Sequence, residues 1–311
     1  MKQDGDMARA AACEFARAFE ARLGSGRLRS QEPLAPYVNW RVGGPAEWFF
    51  IARTRADLIA AASAAREANL PVTILGYGAN VLVADAGVRG LVILNRAESI
   101  EICGEEIWAE SGVNLVALAR RAGEAEIGGF EFLIGIPGTL GGAIVGNAGT
   151  REEWIGERVR EVEVLDERND VVVWPRAQLD FGYRRSRFQR TSEVILAARL
   201  KGYRASRSSI EAKMRCMLEA RKHQPSGPSA GSVFKNPPGD YAGRLIEACG
   251  LKGYRLGGAK ISEQHANFIL NVGGATAREI RALIERAKVA VYERFGILLE
   301  EEIRYVGVWD V

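Results

Sequence analysis

The sequence predicts an α+β or mixed α/β fold built from more than one packed unit, and three observations predict it. Strand-like runs bracket a capped helix between Glu47 and Leu94. The runs Glu161–Leu165 and Val171–Trp174 flank the turn-forming stretch Asp166–Asp170, which reads as a hairpin. Thr276 and Glu279 stand at capping-box spacing before an apolar stripe of helical period. A chain of 311 residues exceeds one small core, so two or three units are expected.

Taken in order, residues 7–23 place Phe15, Phe19 and Leu23 at four-residue spacing, which predicts an amphipathic helix. Arg9, Glu14, Arg17, Glu20 and Arg22 in the same stretch exclude the apolar segment of a signal peptide. The polar run Gly24–Ser30 closes an N-terminal arm, residues 1–30. Next come strands at Glu47–Ala52, Pro71–Leu75, Val81–Val83 and Gly90–Leu94. With the helix Ala56–Ala68, N-capped by Thr54 with Asp57 as its partner, they form a β-α-β unit. Val113–Ala122 is helical, and Val194–Leu200 is a strand. The Ser/Arg-rich stretch Gly202–Ser209 marks a domain boundary near 205. Beyond it lies a helix capped by Ser208 and Glu211, with Ile210, Met214, Met217 and Leu218 on one face. The Thr276 helix carries Ile280, Leu283, Ile284, Ala287 and Val291 as its stripe, and a strand Glu300–Val308 closes the chain.

Composition narrows the function classes. Hydrophobic residues at 47% and charged residues at 26% are ordinary for a globular protein. No run approaches the ~20 apolar residues that span a bilayer. Four scattered cysteines suggest reduced, buried thiols and a cytoplasmic setting. Two histidines without clustered cysteines give no zinc site, so no metal is expected. A net charge of +3 makes no case for nucleic acid.

Five segments carry candidate chemistry. Gly76-Tyr77-Gly78-Ala79-Asn80 follows a strand, but Val81 stands where the dinucleotide fingerprint needs glycine, so the segment is a tight turn or a phosphate-facing loop and not a Rossmann site. Gly135 to Ala143, then Asn147-Ala148-Gly149, holds too many glycines for regular structure; it is either backbone lying against an extended ligand, with the Thr139 hydroxyl on a phosphate, or a buried connection. Tyr183-Arg184 offers a guanidinium to a carboxylate or diphosphate, or is simply solvated. Pro228 to Pro237 sets Ser232, Lys235 and Asn236 on a polar lip; with no GxSxG elbow, Ser232 is a proton donor or a turn hydroxyl, not a hydrolase nucleophile. In Glu300-Glu301-Glu302 the middle acid points opposite to its neighbours on a strand.

Together these motifs resemble the UDP-N-acetylenolpyruvoylglucosamine reductase (MurB) family, in family order from Tyr37 to Val306. They are Val42-Gly43-Gly44-Pro45-Ala46, the Gly76–Val83 loop, Gly129-Phe130-Glu131-Phe132 leading into Gly135–Gly142, Tyr183-Arg184-x-Ser186, Gln224 to Pro237, Ala242 to Gly253, His265-Ala266-Asn267-Phe268 and Leu299 to Ile303. The short stretch from Ser186 to Arg221 is similar to the compact second type. The resemblance implies an FAD-binding region of the vanillyl-alcohol-oxidase/PCMH type over 31–205, with two subdomains split near 100, and a substrate-binding α+β domain over 206–311. It implies non-covalent FAD held by Gly76, Gly78, Ala79, Asn80, Val81, Ile136, Pro137, Gly138, Thr139, Gly141, Gly142, Asn147, Ala148 and Gly149. The implied reaction is a hydride relay from NADPH through FAD to the terminal alkene carbon of UDP-N-acetylglucosamine enolpyruvate. Arg184 and Glu302 match the residues that stabilise the enolate, Ser232 matches the proton donor, and Tyr183, Lys235, Asn236 and His265 fall at substrate contacts. Small-molecule substrates, with no nucleic acid, membrane or obligate protein partner, are the implied partners.

Three departures from the family pattern bear on loop geometry and flavin affinity. Val38 replaces a threonine, Thr150-Arg151-Glu152 replaces Ala-Tyr-Gly, and Glu301 replaces a proline. Competing readings are another flavin oxidoreductase on the same scaffold and a non-catalytic flavin or UDP-sugar binder. The absence of histidine near the flavin loops disfavours covalent-flavin oxidases, and intact Arg184, Ser232 and Glu302 disfavour the binder.

Overall fold

The computed structural model describes residues 2–309. The chain divides into two compact units. One takes the chain up to Glu32, Ala46–Gly76 and Arg89–Met217; the other takes Pro33–Pro45, Tyr77–Val88 and the chain from Leu218.

The first unit opens with α1 (Lys2–Leu23), and Phe15 and Phe19 on its buried face meet Trp48 and Phe50 at ring separations of 5.6 and 5.1 Å. A four-stranded sheet has the order β1 (Arg29–Pro33), β2 (Pro45–Ala52), β5 (Val88–Asn95), β3 (Val72–Leu75), with β3 and β5 parallel. The helix α2 (Arg55–Glu67) joins β2 to β3 and packs through Leu58 and through Ala61, Ala62 and Ala65, whose small side chains permit close approach. Thr54 caps it as expected, accepting from the Asp57 N–H at 3.0 Å, while the Asp57 carboxylate reaches Arg53 N and Arg27.

A five-stranded antiparallel sheet follows, with the order β10 (Val171–Pro175), β9 (Val159–Leu165), β11 (Val194–Lys201), β7 (Glu106–Glu110), β6 (Ile100–Cys103). The β9–β10 hairpin turns across Asp166–Asp170, as the sequence indicates. Its Asp166 carboxylate accepts from the N–H groups of Arg168 and Asp170. Three helices, α3 (Leu115–Glu124), α4 (Leu140–Gly146) and α5 (Ile155–Arg158), share a core with this sheet around Phe130, Phe132, Leu140, Ile144 and Val162. The short pair β8 (Ile127–Gly128) and β12 (Tyr203–Arg204) leads to α6 (Arg207–Arg221).

The second unit contains α7 (Ala242–Ala248), the antiparallel β13 (Arg255–Leu256), β14 (Ala259–Ile261) and β15 (Ile269–Asn271), α8 (Ala277–Phe295) and the parallel pair β4 (Val81–Val83) and β16 (Arg304–Val306). Its core joins Trp40, Val42 and Leu82 to the α8 stripe. The Thr276/Glu279 capping box and all five stripe residues are present.

Several expectations need correction. Val81–Val83 is a strand but pairs with β16, so it is not part of the front β-α-β sheet. The glycine-rich run is not wholly irregular: Thr139 caps a helix at Leu140–Gly146, and Gly141 lets that helix close on Ser111, 3.0 Å from where a Cβ would sit. The N-cap of α6 is Ser206, which accepts from Ser209 N, because Ser208 already lies inside the helix. Leu218 of that helix is exposed, and Glu211 pairs with Arg207 at 2.8 Å instead of capping. The last strand is shorter than Glu300–Val308, although Glu301 forms an isolated bridge to Phe234. Cys13, Cys103 and Cys216 are exposed thiols, not buried ones.

Candidate active site

The glycines of the proposed flavin loops serve two purposes. Some are demanded by the protein's own packing. A Cβ at Gly76 would lie 2.6 Å from Thr139 Oγ1, one at Gly78 2.4 Å from the Tyr37 carbonyl, and one at Gly149 2.3 Å from the Glu153 carbonyl. Others leave room. Gly138, at φ +137°, meets nothing nearer than 3.9 Å, and Gly142 is exposed with its nearest neighbour at 3.5 Å. Bare backbone with open space beside it suits an extended ligand approaching closely.

The local hydrogen bonds fit an anionic group. Among the described residues the N–H groups of Gly78 and Ala79 in one unit, and of Gly138 and Thr139 in the other, have no protein acceptor. Successive unpaired amides form the concave donor array that binds phosphates. Thr139 Oγ1 accepts from Gly142 N at 3.3 Å, which leaves its O–H hydrogen to donate. Val81, Ile136 and Ala148 are half-buried and Pro137 is exposed along these loops.

Two asparagines expected at the flavin have structural duties. Asn80 donates from Nδ2 to the Glu302 carbonyl at 2.9 Å, and its own carbonyl accepts from Arg304 N at 3.0 Å. Asn147, left-handed at the C-terminus of α4 (φ +43°), donates to the Gly182 carbonyl at 2.8 Å and accepts from Gly156 N at 3.0 Å.

The Gly182 carbonyl belongs to a tight turn. Gly182 and Arg185 exchange backbone bonds of 3.0 and 3.1 Å, so Tyr183 and Arg184 occupy its corners. Tyr183 is exposed. Arg184 has φ +52°, a conformation that costs an L-residue roughly 1–2 kcal/mol. It persists because its surroundings hold it. The guanidinium donates from Nη2 to the Gly149 carbonyl at 3.0 Å, and the Arg184 carbonyl accepts from Gln189 Nε2 at 3.0 Å. Ser186, fully buried, donates to the Val145 carbonyl at 2.8 Å. The sequence motif contains Ser186 without revealing this duty, and nothing in the sequence points to Gln189.

In the second unit, Ser232 immediately precedes a segment that pairs with Glu301. Glu302 N donates to the Val233 carbonyl at 2.7 Å, and Lys235 N to the Glu300 carbonyl at 2.8 Å. Asn267 locks this segment further: its carbonyl accepts from Val233 N, and its side chain exchanges bonds with both backbone groups of Phe234. Ser232 and Glu302 are both half-buried. Glu301 faces the other way and pairs with Lys288 at 2.9 Å. Its N–H takes no part in the bridge to Phe234, so this bridge makes no demand for a backbone donor at position 301.

Lys235 pairs with the Glu300 carboxylate, and the Asn236 side chain accepts from Ala242 N at 3.1 Å, capping α7. His265 Nδ1 accepts from Asn267 N at 3.2 Å, which assigns the neutral ring's proton to Nε2. Desolvation of the ring, packed edge-on against Phe268, lowers its pKa below the usual 6.5. The Thr150 departure has a reason: Thr150 Oγ1 accepts from the N–H groups of Glu152 and Glu153, both at 3.2 Å, and builds the turn itself. Val38 packs under Gly78, whose Cβ would sit 2.9 Å from Val38 Cγ1.

Residues 222–306 match the C-terminal domain of UDP-N-acetylenolpyruvoylglucosamine reductase, and residues 46–174 match an FAD binding domain. A UDP-N-acetylenolpyruvoylglucosamine reductase of Desulforamulus reducens is 43% identical over 92% of this chain and 95% of its own length. One from Moorella thermoacetica is 45% identical over 90% of this chain and 94% of its own. The crystal structure of the Thermus caldophilus enzyme superposes with a TM-score of 0.78 at 36% identity, covering 90% of this chain and 99% of that one.

Proposed function

Because the chain belongs to the UDP-N-acetylenolpyruvoylglucosamine reductase (MurB) family, we propose that it reduces UDP-N-acetylglucosamine enolpyruvate to UDP-N-acetylmuramate in the cytoplasm, with NADPH as reductant and FAD as non-covalent cofactor. We read residues 31–205 as the flavin domain and 206–311 as the substrate domain. The open backbone at Gly138 and Gly142 and the unpaired amides of Gly138 and Thr139 would hold the flavin diphosphate, and the unpaired amides of Gly78 and Ala79 are a separate pair of donors for an anionic group. FAD, when bound, supplies the hydride.

The remaining steps belong to side chains. As negative charge develops on the enolate of the substrate, the Arg184 guanidinium, oriented by its turn, neutralises it; such preorganised charge lowers a barrier by several kcal/mol. Glu302 would act as a hydrogen-bond donor to the enolate, a role that requires its acid form because an ionised carboxylate would repel it. Ser232 Oγ–H then gives its proton to the adjacent carbon. Tyr183, Lys235, Asn236 and His265 bind the substrate.

The observation that carries this reading is the clamp between the two segments of the second unit. Glu302 N on the Val233 carbonyl, reinforced by Asn80 on the Glu302 carbonyl, ties the backbone next to Ser232 to that of Glu302, which supports giving the two residues neighbouring roles. An anaerobic absorbance titration tests it. The flavin spectrum should bleach with NADPH and recover on addition of UDP-N-acetylglucosamine enolpyruvate. A protein that cannot be loaded with FAD, or one whose bleached flavin ignores that substrate, would refute the reading.

A further inference from the structure

The turn that presents Arg184 is held at its carbonyl by a residue outside every motif. Gln189 ends a short 3-10 turn, Arg187–Gln189, whose Phe188 is buried and whose first hydrogen bond runs from Gln189 N to the Ser186 carbonyl at 3.3 Å. Ser186 is in turn anchored to Val145. The Gln189 amide therefore stands on a fixed platform, and its Nε2 donates to the Arg184 carbonyl at 3.0 Å. That carbonyl follows the one φ in the turn, +52°, that an arginine does not adopt by preference. We propose that Gln189 is a positioning residue for the reduction, holding Arg184 in its left-handed conformation and so aiming the guanidinium.

The physical reason is specific to a donor. Without the amide, the Arg184 carbonyl loses a partner and the peptide is free to rotate toward negative φ. That rotation swings the side chain, because φ sets the direction of Cβ. The Nη2 bond to the Gly149 carbonyl would then be made from a different backbone geometry. Displacement of a charged group by about an ångström is enough to cost one to two orders of magnitude in rate. Gln189→Glu keeps the shape and removes the donor, and Gln189→Met keeps the approximate length without polarity.

The proposal rests on the role given to Arg184, and the test separates the two. Holoenzyme variants reduced with dithionite are mixed anaerobically with UDP-N-acetylglucosamine enolpyruvate, and flavin reoxidation is followed. Gln189→Met and Gln189→Glu should each lower the limiting rate about tenfold or more, with half-saturation, flavin content and melting temperature little changed. In an Arg184→Ala background, Gln189→Met should add less than about a twofold further loss, since a residue acting only through Arg184 has nothing left to position. An equal loss in both backgrounds, or a loss explained by lower flavin content and melting temperature, would overturn the proposal. A slow Arg184→Ala beside wild-type rates for both Gln189 variants would overturn it alone. An unimpaired Arg184→Ala would remove the role of Arg184 and this proposal with it.

Discussion

A serine hydroxyl is a weak acid, so the proton donation proposed for Ser232 requires a strongly basic carbon as partner and a backbone already in place. The pairing of Val233 with Glu302, and of Val233 and Phe234 with Asn267, supplies that fixed backbone. Ser232→Ala should therefore leave flavin loading and reduction by NADPH intact while lowering substrate-dependent reoxidation at least ~10²-fold, the range for a lost general acid; normal reoxidation would show that the proton comes from elsewhere. His265 gives a second prediction. Desolvation depresses its pKa, so its neutral form is favoured by the folded state. The unfolded chain then takes up a proton first, and stability present above pH 6.5 is lost as the pH falls toward the lower folded value. A nitrogen-15 titration should show protonated Nε2 at neutral pH and a midpoint below 6.5, and a midpoint above 6.5 would refute the desolvation argument. At this scale the candidate trio could be named only through its motifs. Gln189 was invisible, because an amide in a polar run announces nothing until its acceptor is known.

Local signals produced local elements. Thr54, Thr276 with Glu279, and the turn centred on Asp166 are each satisfied within a few residues of chain, so the sequence carries them in full. Elements that depend on distant partners are less legible. Strand periodicity assigns Val81–Val83 to the nearest sheet because it names no partner, whereas the strand pairs with β16. The tie from Asn80 to Glu302 spans 222 residues. The helix Leu140–Gly146 was hidden by glycine propensity and exists because a Thr139 cap and packing on Ser111 override that cost. A long-range cap of the same kind supports α8: the Asp85 carboxylate accepts from Ala277 N at 2.8 Å and Arg278 N at 3.0 Å, satisfying first-turn amides that Thr276 does not reach. Asp85→Ala should cost ~1 kcal/mol, visible as a lower melting temperature, with Asp85→Asn losing less because it keeps an acceptor. Equal melting temperatures for wild type and the alanine variant would show that water replaces the cap without penalty.

At the scale of the molecule, the match to the family's C-terminal domain, residues 222–306, is continuous, whereas the compact unit that contains it is not. That unit also needs Pro33–Pro45 and Tyr77–Val88. Trp40 is fully buried in its core, donates from Nε1 to the Ile269 carbonyl at 2.7 Å, and accepts from Asn271 Nδ2 at 2.9 Å. Leu82 lies on β4, the parallel partner of β16, and Asp85 caps α8. Removing a buried tryptophan alone costs ~3–5 kcal/mol, comparable with the lower end of a domain's whole stability of about 5 kcal/mol. Losing a strand partner and a cap as well leaves a fragment with no margin. Residues 206–311 expressed alone should therefore show no cooperative thermal transition by circular dichroism, although Ser232 and Glu302 are both present. A sigmoidal melt from that fragment would mean that the continuous C-terminal stretch folds by itself, and that the two N-terminal insertions act on its function and not on its fold.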